Sequence, residues 1–177
     1  MIDVYVKFWP ESALRAHMAG VVLQRVAMYP EARVTVLCAR ESDIALLSDH
    51  GRAPQLTAAL IPRHRYWVDA KQWADSHAQS DIYVVMDDDC LPIGPGWILD
   101  GVAAMRAHPE FSMLASWTIT NEVNAERLEV EGGVYYDDII WVEKTSVGTP
   151  YFCRRASLGE LPFGPLGSYD HVLSQHM

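Results

Sequence analysis

The sequence is poor in cysteine and lacks the spacings that make cysteine informative. Its three, Cys38, Cys90 and Cys153, lie far apart with no CxxC pair, so neither a disulfide scaffold nor a cysteine-based zinc site is expected. Cys38 in VTVLCA and Cys153 in YFCRR read as ordinary strand residues, reduced thiols of a cytoplasmic protein. Long apolar runs are also missing. The longest, such as IYVVM at 82–86, are strand-length, and none is long enough to span a bilayer. The opening MIDVYVKFWPE lacks a basic stretch, an apolar stretch and a small-residue cleavage site in succession, so no secretory signal is expected. Basic residues are scarce relative to acids, 14 against 23, for a formal net charge of −9. A surface this acidic repels polyanions and disfavours nonspecific binding to nucleic acid or membrane. A nucleotide ligand stays open, because a metal ion and a few cations can neutralise a diphosphate locally.

What is present reads as one α/β domain. A chain of 177 residues suits a single core better than two. Residues 2–8, IDVYVKF, have the β-branched and aromatic composition of a strand, stopped at Trp9-Pro10. Ser12 is a natural N-cap for a helix running to about Met28, with Leu14, Met18, Val21, Val22 and Val26 at three- and four-residue steps. A second strand is expected at 33–39 and a short helix in ESDIALLSDHG, closed by Gly51. The stretch 52–66, rich in Arg, His and Pro, has no clear pattern. A helix at about 69–79 then leads into DIYVVM at 81–86, the strongest strand of the chain. After a Pro-Gly turn come a helix in WILDGVAAMRAH, a strand at 111–119, one or two strands between 120 and 150, and a strand in YFCRRA. A final helix is expected in SYDHVLSQHM, begun by Ser168. Strands alternating with helices predict a mostly parallel sheet with crossover helices.

The informative segment is IYVVMDDDCLP. An apolar strand ends abruptly in Asp87, Asp88 and Asp89, where open α/β sheets gather their ligands. Adjacent carboxylates repel one another unless a cation lies among them. Alternate residues on an extended segment project to the same side, so Asp87 and Asp89 are expected to share one ion. Ligation by oxygen alone suits Mg²⁺ or Mn²⁺, with coordination positions left for phosphate oxygens. The plain alternative is a solvated acidic turn at a helix N-terminus.

The run DDDCLPIGPGWI resembles the GT-A glycosyltransferases, especially family 2-like members, in which a strand ends in a DxD, followed by a Leu-Pro turn and an aromatic residue opening a helix. The resemblance implies a single GT-A domain over 1–177, with a nucleotide-binding half at 1–90 and an acceptor-side half at 91–177. It implies that Asp87 and Asp89 bind Mn²⁺ or Mg²⁺, that Asp88 lies at the donor, and that the donor is a nucleotide-diphosphate sugar carrying UDP or GDP. Sixteen residues before Asp87, Lys71 in Ala70-Lys71-Gln72 stands where the family often has the Arg of an A-R-N segment, and is expected at the diphosphate. A surface lysine is its plain alternative. The family's base pocket maps onto Phe8, Trp9 and Pro10 after the first strand and Glu41 and Asp43 after the second, with Trp9 equally suited to a core.

Towards the C-terminus, YFCRRASLGELPFGPLGSYDHVL is similar to the family's aromatic-Arg-Arg strand, Gly-rich loop and E-D pair. Asp170 matches the Asp of that pair, the general base of inverting members, while Tyr169 replaces the Glu. Arg154 is expected to meet phosphate. His171 is a candidate third metal ligand, as in several retaining members, with His176 the other histidine available. Inversion and retention are left open.

The chain stops soon after Asp170, so the resemblance implies a shallow acceptor site. That suits a polymeric acceptor, or a site completed by a second subunit. Three rival functions share parts of this pattern. A haloacid-dehalogenase-like phosphatase also places DxD after an apolar strand, but there a Gly or Thr follows where Cys90-Leu91 stands here. A nucleotidyltransferase needs a Gly-rich first loop, and WPES stands in its place. A non-catalytic domain would bind a nucleotide sugar or a partner without turnover.

Overall fold

The strands with the clearest apolar alternation form the centre of the sheet. In the computed structural model, which describes residues 1–50, 56–61, 67–92, 94–109, 113–116, 133–136, 139–142 and 150–155, the elements run β1 (Ile2–Phe8), α1 (Ala13–Ala27), β2 (Ala32–Cys38), α2 (Glu41–His50), β3 (Leu56–Leu60), α3 (Trp67–His77), β4 (Ile82–Asp87), α4 (Trp97–Ala107), β5 (Met113–Ser116), β6 (Gly133–Tyr136), β7 (Ile139–Val142) and β8 (Tyr151–Arg154). One sheet joins all eight strands in the order β3-β2-β1-β4-β8-β5-β7-β6. β1 to β4 are mutually parallel. β8 enters antiparallel between β4 and β5, and β7 runs antiparallel to both β5 and β6. Among the described strands six share one direction and β7 and β8 oppose it, so the sheet is mixed: the parallel arrangement expected from the sequence is found in β3-β2-β1-β4, and the remaining pairs are antiparallel.

Alternation along the central strands builds two cores. Val4, Val6, Phe8, Val34, Val36, Val84, Met86 and Phe152 face one side, packed with Leu23 and Val26 of α1 and Ile98, Val102 and Met105 of α4. Tyr5, Leu37, Tyr83, Val85, Tyr151 and Cys153 face the other, against Ala70 and Ala74 of α3 and Ala78 just beyond its end. Those three alanines recur every fourth residue, which lets α3 lie close on the sheet. Gly101 does the same for α4. A Cβ there would stand 2.1 Å from the Phe152 ring.

Three features depart from the sequence reading. The ambiguous 52–66 stretch contains β3, an edge strand on β2 whose LTAAL sequence is half exposed and carries little β-forming character. α1 is rotated relative to the stripe of large residues: Leu14, Met18 and Val21 are exposed, while Ala16, Ala19, Gly20, Val22, Leu23 and Val26 are buried. Small residues let the helix approach the sheet, and the large ones at the same spacing face outward. Finally, the chain does not stay extended after Asp87. The Cys90 N–H donates to the Asp87 carbonyl at 3.3 Å, so Asp88 and Asp89 lie in a turn, and strand alternation cannot place Asp87 beside Asp89. The final helix expected from Ser168 lies outside the described residues.

Candidate active site

β1 and β4 are adjacent and parallel, and their C-terminal ends define the candidate site. Lys7 is in register with Asp87, and its ammonium approaches the Asp87 carboxylate to 2.6 Å. One residue on, the Asp88 side chain turns inward and is 2% exposed. It accepts the Trp9 backbone N–H at 2.7 Å and so ties the segment after β1 to the end of β4. Burial raises the Asp88 pKa and Asp89 adds to the rise, opposed by the Trp9 N–H and Arg15. Asp89 is more open, at 41% exposure.

The third wall is the first turn of α1. Ser12, with extended backbone, caps the helix by accepting the Arg15 N–H at 3.2 Å. The Arg15 guanidinium then reaches across to the β4 turn. Its Nη2 lies 3.2 Å from Asp88 Oδ1 and 3.2 Å from Asp89 Oδ2. Two cations, Lys7 and Arg15, thus face three carboxylates, and sequence reasoning missed both. A signal for Arg15 was available: α1 has no acid in its first turn, and a cation there opposes the helix dipole unless anions lie beyond it. Lys7 could have been noticed as the one cation in the apolar strand IDVYVKF.

The expected base pocket is divided. Phe8 is 1% exposed within the core, a correction to its placement at the donor, because alternation turns it to the same face as Val4 and Val6. Trp9 and Pro10 are half-buried beside the acids. The Trp9 ring lies 5.9 Å beneath the Arg40 guanidinium carbon, and its indole N–H donates to Glu11. Glu41 is exposed at the start of α2. Asp43, 1% exposed, accepts the Arg40 backbone N–H at 3.1 Å and pairs with its guanidinium at 2.9 Å. Asp43 therefore caps its own helix, and through Arg40 it reaches the Trp9 ring.

Two expected donor ligands lie elsewhere. Lys71 is 2% exposed, its Nζ donating to Asp75 at 2.6 Å and to the Tyr83 hydroxyl at 2.7 Å. Tyr83 in turn donates to Asp75. The small-residue face of α3 carries Lys71 into the core, so it does not meet a diphosphate at the surface. Arg154 is in register with Ile82, at the opposite end of β4 from Asp87, and donates to the Met105 carbonyl at 2.5 Å. β8 runs antiparallel to β4, which puts its last residue at the wrong edge, roughly 16 Å along the strand from Asp87. Asp170 and His171 lie outside the described residues.

The donor set fits a divalent cation in one form. Among the described residues, no three His, Cys, Asp or Glu side chains converge into a metal-holding group. One or two carboxylates with the remaining positions left to water and phosphate is the usual arrangement for Mg²⁺, and the Asp89 carboxylate, 41% exposed, is open to serve as one of them.

No protein-family model and no curated protein matches the sequence. Solved structures do. TarS of S. aureus (residues 1–349) aligns at a TM-score of 0.65 and 14% identity, over 99% of this chain and 55% of that one. The fold is that of the GT-A nucleotide-diphospho-sugar transferases. A mannosyltransferase from Pyrobaculum calidifontis, in complex with GDP-Man and Mn²⁺, aligns at 0.62 and 17% identity, over 98% of this chain and 50% of that one. Glucosyl-3-phosphoglycerate synthase from Mycobacterium tuberculosis, in complex with UDP, aligns at 0.61 and 15%, over 99% and 64%. A CMP:2-keto-3-deoxy-manno-octonic acid synthetase complexed with CTP shares the fold at 0.56 and 14%, over 87% and 73%. The chain thus spans between half and two thirds of the three glycosyltransferase structures. Among the described residues, no helix is long and apolar enough to cross a membrane.

Proposed function

We propose that this chain is a metal-dependent glycosyltransferase that moves a sugar from a nucleotide-diphosphate donor to a hydroxyl acceptor. The observation that carries the reading is the set of carboxylates closing β4, opposite Trp9 and the first turn of α1, on a fold shared with transferases solved with GDP-Man and Mn²⁺ or with UDP. Asp87 and Asp89 would hold Mn²⁺ or Mg²⁺. When bound, that cation supplies positive charge against the diphosphate leaving group.

The chain's own residues do the rest. Asp88 fixes the Trp9 backbone and with it the wall where a base would lie. Trp9, Pro10, Glu41, Asp43 and Arg40 frame that wall. Asp170 is proposed as the base that deprotonates the acceptor if the anomeric centre inverts, which requires an ionised carboxylate within hydrogen-bond reach of the hydroxyl. His171 is proposed as a third metal ligand. The acceptor side is proposed to lie in 91–177, and the acceptor to be a polymer. The fold lends no support to the phosphatase alternative.

Nucleotidyl transfer is the second reading, because a CTP-bound synthetase shares the fold. WPES in place of a Gly-rich loop after β1 weighs against it. Assay of the full chain with Mn²⁺ separates the two. Release of nucleoside diphosphate from a nucleotide sugar supports glycosyl transfer; release of pyrophosphate from a nucleoside triphosphate and a sugar phosphate would replace that reading with the second.

A further inference from the structure

Arg15 is placed where two ligands would compete for it. Its Nη2 touches Asp89, a proposed metal ligand, and the buried Asp88, each at 3.2 Å. The side chain is 37% exposed. Its Nε is buried without a hydrogen-bond partner among the described residues. A guanidinium offers five donors in a planar fork. Here one nitrogen is spent on two acids while another polar atom is left unsatisfied, which costs free energy. Such an arrangement is incomplete, and a phosphate oxygen is the kind of acceptor that completes an arginine fork.

We propose that Arg15 is a resident counter-ion of the acid cluster, released from Asp89 when a divalent cation binds and then turned to the donor diphosphate. The proposal rests on the donor-site reading above and extends it to a residue with two successive partners. Before loading, Arg15 offsets the repulsion between Asp88 and Asp89 and keeps the β4 turn in place. After loading, Asp89 is occupied and the guanidinium is free for an anion a short distance away. Asp88, buried and held by the Trp9 N–H, stays as the pivot. Metal and guanidinium therefore compete for one carboxylate, while metal and diphosphate cooperate. A residue that only braced the turn would give neither effect.

The test uses the full chain and three variants, Arg15→Gln, Arg15→Lys and Arg25→Gln. Arg25→Gln removes one charge from the last turn of the same helix and controls for net charge. Mn²⁺ affinity without nucleotide is read by titration calorimetry. UDP and GDP affinities are read in saturating Mn²⁺. Arg15→Gln should bind Mn²⁺ alone several-fold more tightly and the preferred diphosphate about tenfold more weakly, the loss of one charge-assisted hydrogen bond. Arg15→Lys keeps the charge and loses the fork, so it should hold Mn²⁺ as the parent chain does while still losing diphosphate affinity. Arg25→Gln should match the parent chain in both. Unchanged or weaker Mn²⁺ binding in Arg15→Gln overturns the counter-ion role, and unchanged diphosphate affinity overturns the phosphate role. If the parent chain binds neither UDP nor GDP with Mn²⁺, the donor reading itself has failed, and the counter-ion role is then decided by the nucleotide-free titration alone.

Discussion

Two aspartates, Asp3 and Asp88, are buried at opposite ends of the same pair of strands, and the protein treats them differently. Asp3, near the start of β1, accepts the Gln79 and Ser80 backbone N–H groups at 2.7 and 2.8 Å, the Ser80 hydroxyl at 3.0 Å and the Arg33 guanidinium. Burial pushes its carboxyl up, but those bonds together outweigh it and hold the group below its ordinary range. Asp88, beyond the end of β4, has one backbone N–H and a shared arginine, and its carboxyl is left above the ordinary range. At the N-terminal edge Asp3 is matched by donors from three residues. Among the described residues, Asp87, Asp88 and Asp89 beyond the C-terminal ends of β1 and β4 face only Lys7 and Arg15 as side-chain cations. An edge left incomplete in this way trades stability for binding, as functional sites commonly do.

Substitutions should separate the two edges. The largest effect belongs to Asp89→Asn, for which sugar transfer should fall by about 10²-fold or more, while stability holds or rises slightly because a like charge is removed. Paired activity and urea-melt measurements check this, and a large loss of stability would break the contrast. Asp3→Ala should do the opposite, costing about 2–4 kcal/mol by stranding Arg33 and two backbone donors and leaving nucleotide binding per folded molecule intact. Gly101→Ala, at neither edge, should cost about 1–3 kcal/mol through overpacking on Phe152, measurable in the same melts. Ser12→Ala removes the cap that holds the first turn of α1 and should cost about 1 kcal/mol.

The Asp3 carboxyl also gives the contrast a pH dependence. Its folded pKa is lowered from 3.8, so the stabilisation it provides is present above that value and is lost as pH falls through the folded pKa. Melting temperatures between pH 5 and 2 should therefore fall less steeply in Asp3→Asn than in the parent chain.

Much of this fold was legible because its strongest strands bury both faces. IYVVM ending in acids located β4 and the carboxylates that close it, and Ser12 located the start of α1. What was hidden depended on partners distant in sequence. LTAAL has no strand character of its own and becomes β3 only by pairing with β2. Lys71 looked like a surface cation because nothing local reveals Asp75 and Tyr83 waiting beside it in the core. Arg154 lay in an expected strand, but its location at the far edge followed from the antiparallel direction of β8, which a segment pattern does not encode. Phe8, the last residue of β1, turns into the core, whereas its neighbour Trp9, just past the strand, is half-buried. Lys7 and Arg15 escaped notice because their acids lie some 70 to 80 residues away.

The central claim is that the acids closing β4 form a metal-dependent donor site. Its most direct test is thermal stabilisation of the parent chain and Asp89→Ala by UDP, GDP and their sugar conjugates, each with and without Mn²⁺. A ligand that binds only the folded state raises the melting temperature by mass action. The account predicts that one nucleoside diphosphate stabilises the parent chain only when Mn²⁺ is present, and that Asp89→Ala folds but shows no such shift. Equal stabilisation with and without Mn²⁺, or a shift that survives in Asp89→Ala, would contradict it.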